Sequence, residues 1–106
     1  MKQKLFKLVV FVPQTHLERV RLAICNAGAG RIGKYDQCTF MTSGIGTFRP
    51  LKGAKPFKGK IGKVERVGEA RLETVVSKVK IKAVIRAMLK AHPYEEVAYD
   101  IYKLEL

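Results

Sequence analysis

The feature that most constrains this chain is an internal echo. LVVFVPQTHLERVRLAI, residues 8–24, is answered by RLETVVSKVKIKAVIRAM, residues 71–88, so a strand-to-helix passage occurs twice. In each copy, side chains alternating between two faces give way to apolar residues at helical spacing. The first copy predicts a strand over Leu5 to Val12, with Phe6, Leu8, Val10 and Val12 on one face and Val9 and Phe11 on the other. Pro13 ends it, and Thr15-His16-Leu17-Glu18 has the form of a capping box in which Glu18 reaches back to the amide of Thr15. Leu17, Val20, Ile24 and Ala27 then define a helix that Gly28 and Gly30 stop.

The second copy predicts an extended segment from Lys63 to Val76, in which Gly68 marks a bulge. Ser77 is placed to cap a helix with the stripe Ile81, Val84, Ile85, Met88 and Leu89, ended by His92-Pro93. Between the copies, Gly33 to Thr42 reads as a strand, and Ser43 to Gly62, dense in Gly, Pro and Lys, as a long connection. A last strand runs from Val97 to Leu104.

The order strand, helix, strand, strand, helix, strand is a duplicated split βαβ unit. It predicts one α+β domain over 1–106, a ferredoxin-like βαββαβ fold. Its antiparallel four-stranded sheet carries two helices on one face and a long loop between the middle strands. Right-handed crossovers put His16, the Ser43 to Gly62 connection and the segment His92 to Glu96 at the same edge of the sheet, which is where a site is expected. Val9, Phe11 and Val75 point away from the helices. Left wet, that patch costs ~25 cal/mol for each Å² of apolar surface, so self-association through the open sheet face is expected, with a folded-back long connection as the alternative cover.

A chain of 106 residues supports a single core, and its longest apolar run, Leu8 to Val12, is far too short to span a bilayer. The basic, then apolar N-terminus reads as the first strand and not as a signal peptide. Cys25 and Cys38 stand 13 apart with no CxxC near either, which fits a reducing cytoplasm better than a disulfide framework or structural zinc. The net charge of +12, from 21 basic and 9 acidic residues, points to anionic partners.

Three segments carry a resemblance: Gly28 to Phe40 (GAGRIGKYDQCTF), Gly44 to Pro50 (GIGTFRP) and His92 to Asp100 (HPYEEVAYD). Together they resemble the domain inserted in many bacterial members of the Nif-three-like family. That domain is itself similar to CutA and PII-like proteins, ferredoxin-like modules that assemble as trimers. The HPYE of residues 92–95 also resembles a segment of CutA. The resemblance implies a homotrimer with a non-enzymatic sensory or interaction role, whose long loop touches a small ligand or a protein partner. The family's dinuclear metal site, with its GTP cyclohydrolase type II label, implies nothing here, since this chain has no HxH or similarly spaced ligand cluster.

The residues themselves argue against catalysis. GxSxG, HExxH and Walker motifs are absent. The GAGRIG of residues 28–33 follows a helix, whereas a phosphate cradle precedes one. The ligand or interface candidates are Gly44, Gly46, Thr47, Phe48, Arg49 and Pro50 with His92, Pro93, Tyr94, Glu95 and Glu96. Gly44 and Gly46 permit close backbone approach, Thr47 and Arg49 offer donors, and Pro50 stiffens the exit. A rival reading takes no organic cofactor but a divalent metal ion, zinc or copper, on His16, His92, Glu95 and Glu96.

A further alternative is non-specific nucleic-acid binding through Arg49, Lys52, Lys55, Lys58, Lys60 and Lys63, interleaved with Phe48 and Phe57. The ferredoxin-like RNA-binding motif is missing, because the third strand reads ARLETVV with no aromatic residue. Lys78, Lys82, Arg86 and Lys90 make one side of the second helix basic, but its apolar stripe is needed for the core, so no membrane partner is expected.

Overall fold

The computed structural model describes residues 4–105. Strand β1 (Leu5–Pro13) leads through one 3-10 turn (Gln14–His16) into helix α1 (Leu17–Asn26). Strands β2 (Thr39–Phe48) and β3 (Glu65–Ser77) follow, then helix α2 (Ile81–Ala91) and strand β4 (Tyr99–Lys103). The sheet order is β2-β3-β1-β4, with every neighbouring pair antiparallel. This is the ferredoxin-like α+β topology that the duplicated strand-helix unit predicts.

The alternation of the strands sorts the core. Leu8, Val10 and Val12 of β1 lie beside Leu72 and Val76 of β3 and are covered by Val20 and Ile24 of α1 and Val84 and Met88 of α2, all buried. Each such side chain contributes about 1.5–3 kcal/mol when taken out of water. Leu89, counted in the stripe of α2, is 45% exposed and lies outside this core.

Gly28 ends α1 as its pattern predicts. At φ +118° it donates its N–H to Cys25, while Ala29 donates to Ile24, the paired closure of a Schellman motif. Gly30, at φ +82°, then stitches the chain to the sheet, its N–H bonded to Val75 and its carbonyl to Cys38.

Several local expectations are corrected. The second strand is Thr39–Phe48, not Gly33 to Thr42, because residues 31–38 form a turn closed by the Ile32–Tyr35 bridge. Ser43 to Phe48 therefore belong to β2, and the long connection is 49–64 and not Ser43 to Gly62. Glycines at 44 and 46 look like loop residues in sequence, yet ladder pairing with Glu69 and Val67 uses only their backbone. Gly68 pairs in register with Ile45, so no bulge forms there.

The capping box is absent: α1 has His16 at its N-cap with no side-chain cap, and Glu18 turns to Arg21 instead. Ser77 is the last residue of β3, and α2 starts after Lys80 without a side-chain cap. The final strand is Tyr99–Lys103, shorter than Val97 to Leu104, although backbone bonds from Phe11 to Ala98 and from Leu104 to Leu5 extend its pairing.

Pairing of β1 with β3 stops at Pro13 and Glu69, whereas β2 and β3 continue to Phe48 and Glu65. The two-stranded extension gives the molecule its length, 51 × 23 × 23 Å. On the face away from the helices, Val9 is fully buried and Phe11 and Val75 are half-buried within the single chain. The expectation that this whole patch is wet is thus corrected. Val9 lies between Glu73 and Asp100 on the flanking strands, and the long connection folds back over the Phe11 end. What stays exposed there is Phe40 at 66% and Tyr102 at 51%.

A cleft beneath the 49–64 loop

The end of the sheet where β1 and α2 finish carries a cleft of about 380 Å³. Its floor is Phe11 of β1, with Phe48 of β2 and Glu69 of β3 alongside. Tyr94, Glu95, Glu96 and Ala98 from the α2–β4 connection form one wall, and the loop residues Arg49 to Leu51, Ala54 and Pro56 to Lys58 form the other.

The loop is held in this position by identifiable contacts. The backbone N–H of Lys55 donates to Oε1 of Glu95 at 2.8 Å, across 40 residues of chain. Pro50 is buried and its carbonyl accepts the N–H of Gly62 at 2.8 Å, closing the base of the loop. Phe57 reaches back so that its ring centroid lies 6.1 Å from Tyr94 and 5.3 Å from His16, edge-on to the imidazole. Phe48 closes the aromatic group at 5.8 Å from Tyr94. Aromatic pairs in this range contribute ~0.5–1.5 kcal/mol beyond their buried area.

His92 is the hinge of this arrangement and not part of its lining. It caps α2 in an extended conformation and is 6% exposed. Its Nε2 lies 2.8 Å from the carbonyl oxygen of Phe11, which can only accept, and its Nδ1 lies 3.1 Å from the N–H of Tyr94, which can only donate. The ring is therefore neutral with its proton on Nε2. Burial pushes its pKa below the usual histidine value, against the opposing bond to Phe11.

Tyr94 donates its hydroxyl to Oε2 of Glu69 at 3.2 Å. Burial, with the Glu69 charge adding to it, pushes the phenol up to about 12, so it stays protonated. The Glu69 side chain crosses Gly46 to get there. A Cβ at position 46 would lie 1.9 Å from Oε1 of Glu69, which is why this strand position takes a glycine. Gly44 has open space above it.

Thr47, Phe48, Arg49, Pro50, Tyr94, Glu95 and Glu96 thus line one cleft, and Gly46 lies under it. Gly44 stands apart on β2, and Pro93 links the hinge to the wall. His16 faces a separate neighbouring depression with Phe57, Val67 and Tyr94. The metal set His16, His92, Glu95 and Glu96 does not assemble. Both nitrogens of His92 are engaged, and no group of three or more His, Cys, Asp or Glu among the described residues could hold a metal ion.

Glu69 and Phe11 escape a reading by motif, since each is one position in an ordinary strand. Only the register that sets Glu69 opposite Pro13 and Gly44 brings it to the cleft. Arg49, Lys52, Lys55, Lys58, Lys60 and Lys63 form no ion pair among the described residues. No helix among the described residues is long and apolar enough to cross a membrane.

No family profile matches the chain. A curated relative named GTP cyclohydrolase 1 type 2 homolog, from Bacillus subtilis strain 168, is 61% identical over 99 residues, covering 93% of this chain and 26% of that protein. The chain spans about a quarter of the length of the curated relatives it matches. A solved Bacillus cereus protein related to NIF3 superposes with a TM-score of 0.85 at 50% identity, over 98% of this chain and 26% of the other. CutA from Xylella fastidiosa superposes with a TM-score of 0.69 at 17% identity, over 96% of this chain and 85% of CutA, a likeness of fold alone.

Proposed function

We propose, for a chain homologous to one segment of the NIF3-related proteins and folded like CutA, that it is a non-enzymatic recognition module that binds a small ligand in the cleft under the 49–64 loop. The observation that carries this is the latch of Lys55 to Glu95, which holds a long basic loop over an aromatic floor. A cavity of this size, apolar with a few convergent polar groups, is the form small-molecule sites take. A catalytic reading finds only the Tyr94 hydroxyl beside the Glu69 carboxylate, and burial holds that phenol up to about 12, hence protonated, while His92 is committed to Phe11. The activity in the relatives' name is given to proteins about four times this length.

The module self-associates in this reading. Strand β2 is an edge strand of ten residues, TFMTSGIGTF, without charge or proline, and Phe40, Met41 and Ile45 on it are exposed. Natural edges of this length carry charges or proline to prevent pairing, and the absence of both favours a second copy against this edge. A trimer is favoured by the resemblance to CutA and PII-like proteins.

Two measurements test the reading. In backbone-amide NMR, a mixture of small metabolites is expected to shift Phe48, Lys55, Phe57 and Tyr94 together, and a Phe57→Ala variant to abolish those shifts. Shifts confined to other surfaces, or none in any mixture, overturn the cleft as a site. Light scattering is expected to give a multiple of the chain mass that is unchanged by zinc, copper or chelator.

A further inference from the structure

Charge in the cleft is arranged against the trend of the molecule. In a chain with 21 basic and 9 acidic residues, three carboxylates, Glu69, Glu95 and Glu96, line one cavity. Glu69 is the inner one, half-buried, bonded to the Tyr94 hydroxyl through one oxygen, with no cation within ion-pair distance among the described residues. Cations are abundant on this loop, yet Lys58 and Arg49 stay exposed at the mouth. The inner carboxylate is flanked by Phe48 and Tyr94, whose ring faces attract a positive charge.

We infer that the cleft binds a zwitterion of the basic amino-acid type, with a guanidinium or ammonium head between Glu69 and the aromatic rings and a carboxylate at the mouth against Arg49 and Lys58. The inference rests on the cleft being a ligand site. It follows from three conditions met together. The aromatic faces and Glu69 select a cation with an apolar stem, since a small hydrated metal ion would find neither a ligand set nor an apolar need. The rim lysine and arginine, with the net charge of +12, repel a simple cation and accept one whose other end is anionic. Glu69 is half-buried beside the apolar floor of Phe11, so a charged hydrogen bond made to it there is less screened than one at the open surface.

Calorimetric titration with arginine, lysine, citrulline and agmatine tests this. Citrulline keeps the shape of arginine without its charge, and agmatine keeps the charge without the carboxylate. Arginine or lysine is expected to bind, and citrulline to bind at least about tenfold more weakly than arginine, the discrimination a charged hydrogen bond provides. Glu69→Gln, which conserves shape and is not in the core, is expected to bring the arginine-to-citrulline ratio within about threefold. Arg49→Gln with Lys58→Gln is expected to weaken arginine and leave agmatine unchanged. Equal binding of arginine and citrulline, or a preference that survives Glu69→Gln, overturns the zwitterion while leaving the cleft a site. No binding of any of the four by a chain whose Phe57 and Tyr94 amides still respond to other metabolites overturns the ligand class. No response of those amides to anything overturns the site itself.

Discussion

The imidazole of His92 is bonded on both sides, through Nε2–H to the carbonyl of Phe11 at 2.8 Å and through Nδ1 to the N–H of Tyr94 at 3.1 Å. One ring therefore ties the last turn of α2 to the end of β1 and sets the direction in which Tyr94 leaves. Tyr94 in turn meets Glu69, Phe48 and Phe57, so the geometry of the cleft depends on this bond pair.

His92→Ala is expected to cost about 2–3 kcal/mol, from two lost bonds and orphaned partners in a buried place. The effect has a pH signature. Because burial holds the folded-state pKa below that of the unfolded chain, the unfolded state takes up the proton first as pH falls. The contribution of His92 is then complete above the unfolded value, about 6.5, and is lost as pH falls through that value towards the lower folded one. Glu69 favours the charged ring and His16 opposes it, so the two nearby groups partly offset each other. Urea denaturation at several pH values checks this: the stability gap between wild type and His92→Ala narrows below pH 6.5, and a constant gap contradicts it.

Gly46→Ala separates packing from backbone. Its methyl would displace the Glu69 carboxylate, the far end of a flexible side chain, so the global cost is about 1 kcal/mol. The local effect is larger in kind, since Glu69 leaves Tyr94. In a spectrophotometric titration the tyrosine held up to about 12 is expected to move down towards the ordinary phenol range. Gly44→Ala, with open space above it, is expected to be neutral or to stabilise by about 0.5 kcal/mol and to leave that titration alone. Identical titrations for both variants would mean that Glu69 does not depend on Gly46.

Assembly is checked by two lysine substitutions on β2. Phe40 lies on the face away from the helices and Ile45 on the opposite side, and each is 66% exposed. If a second copy pairs along the edge, Phe40→Lys and Ile45→Lys both lower the mass measured by light scattering, since each places a charge beside the joint. If copies stack only through the open face, Phe40→Lys alone acts. A monomeric wild type removes the proposal.

The duplicated strand-helix unit is legible in sequence because both periodicities are carried by the residues that build the core: Leu8, Val10 and Leu72 in the strands, Val20, Ile24, Val84 and Met88 in the helices. The ends are not. Thr15 and Ser77 have the side chains of caps, but the chain satisfies those turns through backbone bonds such as Lys80 N–H to Ser77. Gly44 and Gly46 read as a loop because their conformational cost is visible locally while the ladder with β3 is not. The place of the cleft follows from topology alone, which brings the ends of β1 and α2 together. Its inner carboxylate does not, since Glu69 is fixed by the register of three strands, and register is a property of pairs.

The latch between loop and wall gives the last test. The backbone N–H of Lys55 donates to a Glu95 side chain that is itself exposed, so the bond contributes about 1 kcal/mol. It is nonetheless the only hydrogen bond from a side chain of the α2–β4 connection to the long loop among the described residues, the rest of the hold being the rings of Phe57, Phe48 and Tyr94. Glu95→Ala should therefore release the loop without touching the core. In hydrogen exchange the Lys55 amide is expected to lose about fivefold of its protection, the equivalent of ~1 kcal/mol, while Leu8, Val10 and Leu72 keep theirs. Glu95→Gln retains an accepting oxygen and is expected to restore part of that protection. Unchanged exchange at Lys55 in Glu95→Ala would show that the aromatic contacts alone keep the cleft closed.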